Sequence, residues 1–155
     1  MTQKRQLSSS VFLAATLSTL PFTFADVAVS KAFGDHMVLQ QNSPIRVWGT
    51  ADSGESVTVS LGGKSAKTTT DKEGAWRVDL PALSADGKAH TMTVKGKNTV
   101  EFKDILLGEV WICSGQSNME WAVNGSLNPK EEIAAADHPQ IRLFNVPGHV
   151  AKPDP

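Results

Sequence analysis

The sequence predicts a mainly β protein, in which an N-terminal antiparallel β-sandwich is followed by the first βαβ part of an incomplete α/β domain. Three observations predict this fold class. Apolar and polar residues alternate in short runs between residues 26 and 103, as in sheets with one face in solvent. A nearly continuous apolar run follows at residues 105–113, as in a strand buried on both faces. No helical periodicity of any length occurs before residue 128.

Composition narrows the function classes. The chain has 155 residues, enough for one domain, or for one small domain and part of another. Its 40% hydrophobic and 20% charged residues indicate a folded globular protein. A net charge of −1 argues against nucleic-acid binding. One cysteine excludes a disulfide framework within the chain, and no two histidines have ligand spacing, so we expect neither a metal nor a cofactor.

Residues 1–25 have the layout of a secretory signal peptide. Lys4 and Arg5 precede an uncharged apolar stretch, and small residues at 23 and 25 suit cleavage before Asp26. A membrane anchor is the less favoured alternative, because the stretch is shorter than about 20 residues and Pro21 interrupts it. We therefore expect export to the periplasm or the medium, with no membrane contact after cleavage.

Removal of this peptide leaves 13 basic and 16 acidic residues, a net charge of −3. Cys113 then has no partner in an oxidising compartment, which favours a buried, inert thiol.

Residues 26–103 are predicted to form the sandwich. The inward positions of its strands are the alternating apolar residues Ile45 and Val47; Val57, Val59 and Leu61; Trp76, Val78 and Leu80; Met92 and Val94; and Val100 and Phe102. Turn residues separate the runs, including a hairpin turn at 71–74 that resembles no calcium loop. Trp48 and Trp76 lie within this alternation, so we expect both in the core rather than stacked on sugars.

Residues 104–155 are predicted to begin a second domain. A buried strand at 105–113 ends in a polar turn at 114–118, and a strand is expected at 141–146. Between them, Asn128 suits the N-cap and Pro129 the first position of a helix that stops before Pro139. One βαβ unit leaves a parallel sheet uncovered, so we interpret the chain as the N-terminal part of a longer protein.

Ser117 is the candidate catalytic residue. A serine in a tight turn after a buried strand has an exposed hydroxyl on a fixed backbone, and neighbouring N–H groups can stabilise an oxyanion. Gly115, Gln116 and Asn118 are the candidate supporting residues of this turn. The surroundings are not the Gly-x-Ser-x-Gly motif, and a serine beside a glycine is by itself usually a turn residue.

The wider sequence is more specific. Residues 108–121, Gly-Glu-Val-Trp-Ile-Cys-Ser-Gly-Gln-Ser-Asn-Met-Glu-Trp, closely resemble the nucleophile block of the sialate O-acetylesterase family, a group of SGNH (GDSL-type) hydrolases. Residues 33–40, 45–49, 94–99 and 141–144 are similar to further segments of that family. The resemblance covers most of residues 31–146.

The resemblance implies that Ser117 is the nucleophile of acyl-ester hydrolysis and that its own N–H is one oxyanion donor. It implies an acetylated carbohydrate as substrate, with sialic acid and other sugars both open. The family's other oxyanion donors and its Asp-x-x-His pair come from later blocks that are not in this chain, so we expect these 155 residues to be inactive alone. The alternative is a secreted carbohydrate- or partner-binding module without catalysis. The oligomeric state stays open.

Other candidates have simpler explanations. Asp137 and His138 lie at the end of the predicted helix, where a histidine has a capping role. Asp35 and His36 are expected to make a loop or core contact in the β domain. Trp111 is expected in the core. Trp121, just after the serine turn, is expected to pack, with a substrate-facing position as the alternative.

Overall fold

A computed structural model describes residues 26–146, so the predicted signal peptide lies outside the described residues. The strands are β1 (Ala28–Val29), β2 (Val38–Gln40), β3 (Ile45–Thr50), β4 (Ser56–Leu61), β5 (Lys64–Thr69), β6 (Ala75–Leu80), β7 (His90–Lys95) and β8 (Thr99–Gly108). Two 3₁₀ helices follow at Ser117–Glu120 and Val123–Gly125, and α1 spans Pro129–Ala135. The mainly β fold class is thereby confirmed.

The strands form two sheets. One has three strands in the order β1-β3-β6, all antiparallel, and the other has five in the order β2-β8-β7-β4-β5. In the larger sheet only β2 and β8 run parallel, with Val38 opposite Leu106. Both sheets direct their apolar positions into one shared core.

The core follows the predicted alternation closely. Its members are Val27, Ile45, Val47, Ala51, Val57, Val59, Leu61, Trp76, Val78, Leu80, Met92, Val94, Ile105 and Leu107. Full burial of a Val or Leu side chain stabilises a fold by about 1.5–3 kcal/mol, so these strands carry most of the hydrophobic stabilisation.

One predicted core residue is exposed. Trp76 is in the core at 3% exposure, as expected, whereas Trp48 is 40% exposed and the expectation for it is wrong. Side chains alternate between the faces of a strand, and Ile45 and Val47 already point inward from β3. Trp48 therefore shares the outer face with Arg46.

The turn at 71–74 forms, but it does not make a hairpin. Asp71 Oδ1 accepts a 2.7 Å hydrogen bond from the Ala75 N–H, and Gly74 supplies the positive φ of +81°. The strands on either side nevertheless belong to different sheets, because β5 pairs with β4 and β6 pairs with β3. The turn is thus the point where the chain crosses from one layer to the other.

The predicted strand at 105–113 is wrong in its extent and its environment. β8 begins at Thr99, crosses the predicted domain boundary at 103/104 and ends at Gly108. Ile105 and Leu107 complete the core of the two sheets, because β8 pairs with β7 on one side and β2 on the other. Residues 109–113 are exposed and form no strand. The division into domains at that boundary stays a prediction.

Of the predicted βαβ unit, the structure contains only the helix as a separate element. α1 begins at Pro129 as predicted and ends at Ala135, before Pro139. Asn128 precedes it with a left-handed φ of 52° and makes no side-chain cap hydrogen bond, so its predicted capping role is wrong. Residues 141–146 form no strand, and no strand of the described chain pairs with them to supply ladder hydrogen bonds.

Between residues 26 and 146, no helix combines the length and the apolar character needed to cross a bilayer.

Candidate functional site

Ser117 lies on a sharp turn. The chain is extended at Gln116, with φ −105° and ψ −158°, and then enters the 3₁₀ helix that begins with Ser117. The Met119 N–H closes the turn by donating to the Gln116 carbonyl at 2.8 Å. At the first position of a helix, the Ser117 N–H has no acceptor within that helix and is available to an incoming oxygen.

The turn borders a shallow depression of about 590 Å³. Its lining residues are Cys113, Ser114, Gly115, Gln116, Ser117, Met119, Glu120 and Val146. Gly115 lets Met119 fold back over the turn, since a Cβ at residue 115 would lie 2.6 Å from Met119 Cγ. The predicted supporting residues Gly115 and Gln116 therefore share one surface with Ser117, whereas Asn118 does not line it.

The Ser117 hydroxyl has no hydrogen-bond partner within residues 26–146. His138 lies beyond α1, exposed, in a turn where its carbonyl accepts from the Ile141 N–H at 2.9 Å. In the part of the chain that the structure describes, no side chain is hydrogen-bonded to Ser117 to take its proton. The turn therefore presents a serine hydroxyl beside a depression, with no base hydrogen-bonded to it in the described residues.

Two burial predictions near Ser117 are wrong. Trp111 is 83% exposed rather than in the core, and Cys113 is exposed rather than buried. Trp121, which follows the serine turn, is 68% exposed. For Trp111 and Cys113 the cause is that none of the sheets described above extends over residues 109–116, so this apolar segment has nothing to pack against.

Residues 109–146, here called the serine segment, are joined to the β domain by a carboxylate. Glu109 accepts hydrogen bonds from Gln40 Nε2 at 3.0 Å and Gln41 Nε2 at 2.9 Å. Gln40 Oε1 in turn accepts from the Val110 N–H at 3.0 Å. The bonds from Gln40 and then Gln41 hold the pKa of Glu109 below its usual range. Sequence reasoning missed this contact. The feature that could have revealed it is the Gln pair at the end of β2, because the parallel partner strand β8 ends one residue before Glu109.

A second contact joins the other end of the segment. Arg142 Nη2 lies 3.0 Å from Asp104 Oδ1, and Arg142 Nη1 also donates to the Asp104 carbonyl. His36 Nδ1 lies 2.6 Å from Asp104 Oδ2, which confirms the loop contact expected for Asp35 and His36. The bond from His36 and then that from Arg142 lower the pKa of Asp104.

No group of three or more His, Cys, Asp or Glu side chains within residues 26–146 is arranged to hold a metal ion.

No family model matches the chain. Sialate O-acetylesterase of Mus musculus is 35% identical in an alignment of length 124 that covers 72% of this chain and 23% of that protein. The Homo sapiens protein of the same name is 30% identical in an alignment of length 122 that covers 71% of this chain and 23% of its own length. A crystal structure of a carbohydrate acetylesterase from Xanthomonas citri has a TM-score of 0.68 and 33% identity, covering 73% of this chain and 26% of that one.

The part of the chain that contains the two-sheet domain and the serine turn is therefore similar to carbohydrate acetylesterases. Within that class, the chain resembles the sialate O-acetylesterase family, as the motif at residues 108–121 indicated. It spans about a quarter of the length of the curated relatives that it matches.

Proposed function

We propose that this chain is the nucleophile-bearing part of an exported serine esterase that removes O-acetyl groups from carbohydrates. The observation that carries the proposal is the position of Ser117, on a sharp turn joined to the β domain, within a segment that resembles sialate O-acetylesterases. The names of the relatives support an acetylated carbohydrate as the substrate, with sialic acid one case among several.

In the proposed reaction, Ser117 Oγ attacks the acetyl carbonyl carbon and its N–H donates to the oxyanion. The sugar oxygen leaves with a proton, and water then hydrolyses the acetyl-serine to acetate. A serine hydroxyl is a weak nucleophile until a base takes its proton, and none is hydrogen-bonded to Ser117 within residues 26–146. We propose that the base and further oxyanion donors come from other parts of a longer protein.

The test is kcat/KM on a generic acetyl ester and on an O-acetylated sugar. The 155-residue chain should show no turnover above its Ser117→Ala variant. In a protein that continues with an Asp-x-x-His pair, Ser117→Ala should lower kcat/KM by about 10³-fold or more, because such groups act as a unit. Ser114→Ala in the same turn is the matched control, and His138→Ala should change the rate little.

Two results would count against the proposal. Robust Ser117-dependent turnover by the 155-residue chain would refute the claim that these residues lack a base for Ser117. His138 would then again be a candidate base. A longer active protein indifferent to Ser117→Ala would refute the nucleophile assignment.

Export is the second part of the proposal and is tested separately. The basic residues Lys4 and Arg5, the apolar stretch and the small residues before Asp26 support cleavage after Ala25. N-terminal sequencing of secreted material should begin at Asp26. Recovery of the exported protein with Met1 still in place would contradict it.

A non-catalytic carbohydrate-binding role is the second candidate. One observation favours it: Trp48 lies exposed on the outer face of the smaller sheet, among charged side chains. This role does not exclude the first, because the serine turn and Trp48 lie on different elements.

A further inference from the structure

An aromatic ring and three charged side chains share the outer face of the β1-β3-β6 sheet. Arg46 lies opposite Asp79 and Trp48 opposite Arg77 in the antiparallel register of β3 and β6. Directly opposed residues have Cβ atoms about 4.5–5.5 Å apart, so the four side chains are neighbours. We call these residues, Arg46, Trp48, Arg77 and Asp79, the Trp48 face.

The indole is held in place although it is exposed. Phe33 meets it edge-on, with ring centroids 4.8 Å apart and an interplanar angle of 75°. Phe33 itself packs against the hydrophobic core. The backbone on that side is fixed too, because the Ser30 N–H donates to the Trp48 carbonyl at 3.1 Å. An exposed aromatic ring with a fixed orientation loses little side-chain entropy when a ligand covers it.

The polar groups beside the ring are paired with one another and carry a positive excess. Arg46 Nε lies 3.0 Å from Asp79 Oδ1, and Arg77 Nη2 lies 3.4 Å from Asp79 Oδ2. The side chains of Arg46 and Arg77 are 57% and 59% exposed. Each guanidinium has five N–H groups, so both keep donors for a ligand after pairing with Asp79. Two cations and one anion stand here on a chain whose net charge is −1.

We propose that the Trp48 face binds a single carboxylated pyranose of a glycan, at a place separate from Ser117. The apolar C–H face of the sugar would lie on the indole, and the carboxylate would accept paired hydrogen bonds from a free guanidinium edge. The choice of a carbohydrate as the ligand rests on the proposed function. The choice of a ligand with a carboxylate rests on the excess of arginine over aspartate at this face.

The size of the face favours this occupant over a protein. A stable protein interface buries about 800 Å² on each partner, with an apolar centre. Here one ring stands among three charged side chains, and an apolar patch of that extent matches one sugar ring. A nucleic acid is disfavoured because its sites carry an extended basic surface, whereas this face has two arginines on a chain of net charge −1.

The experiment is an NMR titration of the ¹⁵N-labelled 155-residue chain, followed at backbone amides and indole N–H groups. The probes are the α-methyl glycoside of N-acetylneuraminic acid and, as the neutral control, methyl β-glucoside. The acidic probe should shift the Trp48 indole N–H and the amides of β3 and β6 with saturation. The neutral probe should bind at least about 5-fold more weakly.

Variants separate ring, charge and fold. Trp48→Ala should weaken binding by about 10-fold or more, whereas Trp48→Phe, which keeps an aromatic ring, should retain most of it. Arg77→Gln should weaken binding of the acidic probe and leave the neutral one unchanged. Trp121→Ala is the matched control, an exposed tryptophan beside the serine turn, and should bind as the wild type does. Amide dispersion of each variant shows that it is folded.

Three outcomes would overturn the inference: no saturable shift with either probe, shifts confined to residues 113–121, or binding that survives Trp48→Ala. Short DNA that competes, with an affinity indifferent to Trp48→Ala, would point instead to a nonspecific anion site. Failure of the proposed esterase is distinguishable, because binding is measured without turnover and Ser117→Ala should leave it intact.

Discussion

At the scale of single residues, two tryptophans on facing strands differ in the side of the sheet they occupy. Trp76 is inside the core and Trp48 outside it. Burial has a cost for Trp76, because its indole Nε1 has no hydrogen-bond partner within the described part of the chain. A buried donor left without an acceptor costs about 1–3 kcal/mol. The contribution of the Trp76 ring to stability therefore comes from the volume and the apolar area that it buries, and not from its N–H group.

This balance predicts unequal effects of two substitutions at residue 76. Trp76→Ala should lower the free energy of unfolding by about 3–5 kcal/mol, because it leaves a large cavity. Trp76→Phe should cost less than half as much, because it keeps most of the ring and removes the unpaired N–H. Denaturant unfolding of the 155-residue chain measures both, with Trp121→Ala as an exposed control. A loss below about 1 kcal/mol for Trp76→Ala would place the ring outside the core.

The Asp104 contact with Arg142 should depend on pH. The pKa of Asp104 is lowered in the folded chain, first by His36 and then by Arg142. A carboxylate with a depressed folded pKa stabilises the fold above its unfolded pKa, near 4, and loses that contribution as pH falls through the folded value. We expect residues 141–146 to separate from β8 as the pH falls below about 4, the unfolded pKa, seen as amide shifts at Arg142.

Asp104→Asn should show the separated shifts at every pH. Because both side chains are only partly buried, high salt should weaken the contact as well. Amide shifts at Arg142 that stay constant through this pH range would contradict the role given to Asp104.

At the scale of elements, the placement of β1 depends on one missing side chain. A Cβ on Gly49 would lie 2.0 Å from the Ala28 carbonyl oxygen and 2.8 Å from Trp76 Cζ2. Neither neighbour is the flexible end of a long side chain. Glycine at this position therefore lets β1 approach β3 while the Trp76 ring fills the core beneath.

Gly49→Ala should accordingly displace β1 and lower the free energy of unfolding by about 1–3 kcal/mol, the usual cost of overpacking. Gly34→Ala is the matched control, because a Cβ there meets nothing within 4 Å. The control should change stability by no more than about 1 kcal/mol, in either direction. Equal effects of the two substitutions in denaturant unfolding would show that the close approach at Gly49 does not matter.

At the scale of the whole molecule, the apolar residues divide into two sets. Every buried hydrophobic residue of the described chain lies between Val27 and Leu107. From residue 109 to 146 no residue is buried, and large side chains such as Trp111, Leu143 and Phe144 are exposed. The two sheets thus form the stable unit, to which Glu109 and Arg142 attach the serine segment.

This division predicts where the chain can be shortened. Residues 26–109 should fold, marginally for a domain of this size, because they keep the whole core and β8. Residues 26–103 should not, because they lack Ile105, Leu107 and the part of β8 that pairs with β2. Amide dispersion and thermal unfolding of the two proteins test this, with 26–146 as the reference. A cooperative transition in 26–103 would mean that the end of β8 is dispensable.

Much of this protein follows from local sequence alone. Period-two alternation placed the apolar positions of β3, β4, β6 and β7 inward, because successive side chains of any strand point to opposite faces. Pro129 marked the start of α1 for a similarly local reason, its fixed φ and missing N–H. The serine turn was also found locally, from small polar residues after an apolar run, and its family resemblance came from the motif at 108–121.

Only the tertiary structure decided which elements meet. From the sequence, the apolar run after residue 104 could be buried either by β2 and β7 or by a second domain. The pairing of β8 with β2 and β7 places Ile105 and Leu107 in the core of the two sheets. The turn at 71–74 could not reveal that its two strands join different sheets, and the joining of Glu109 to Gln40 spans 69 residues of chain. Period and turn chemistry are set by neighbours in sequence, whereas burial and strand pairing depend on residues that folding brings together from far along the chain.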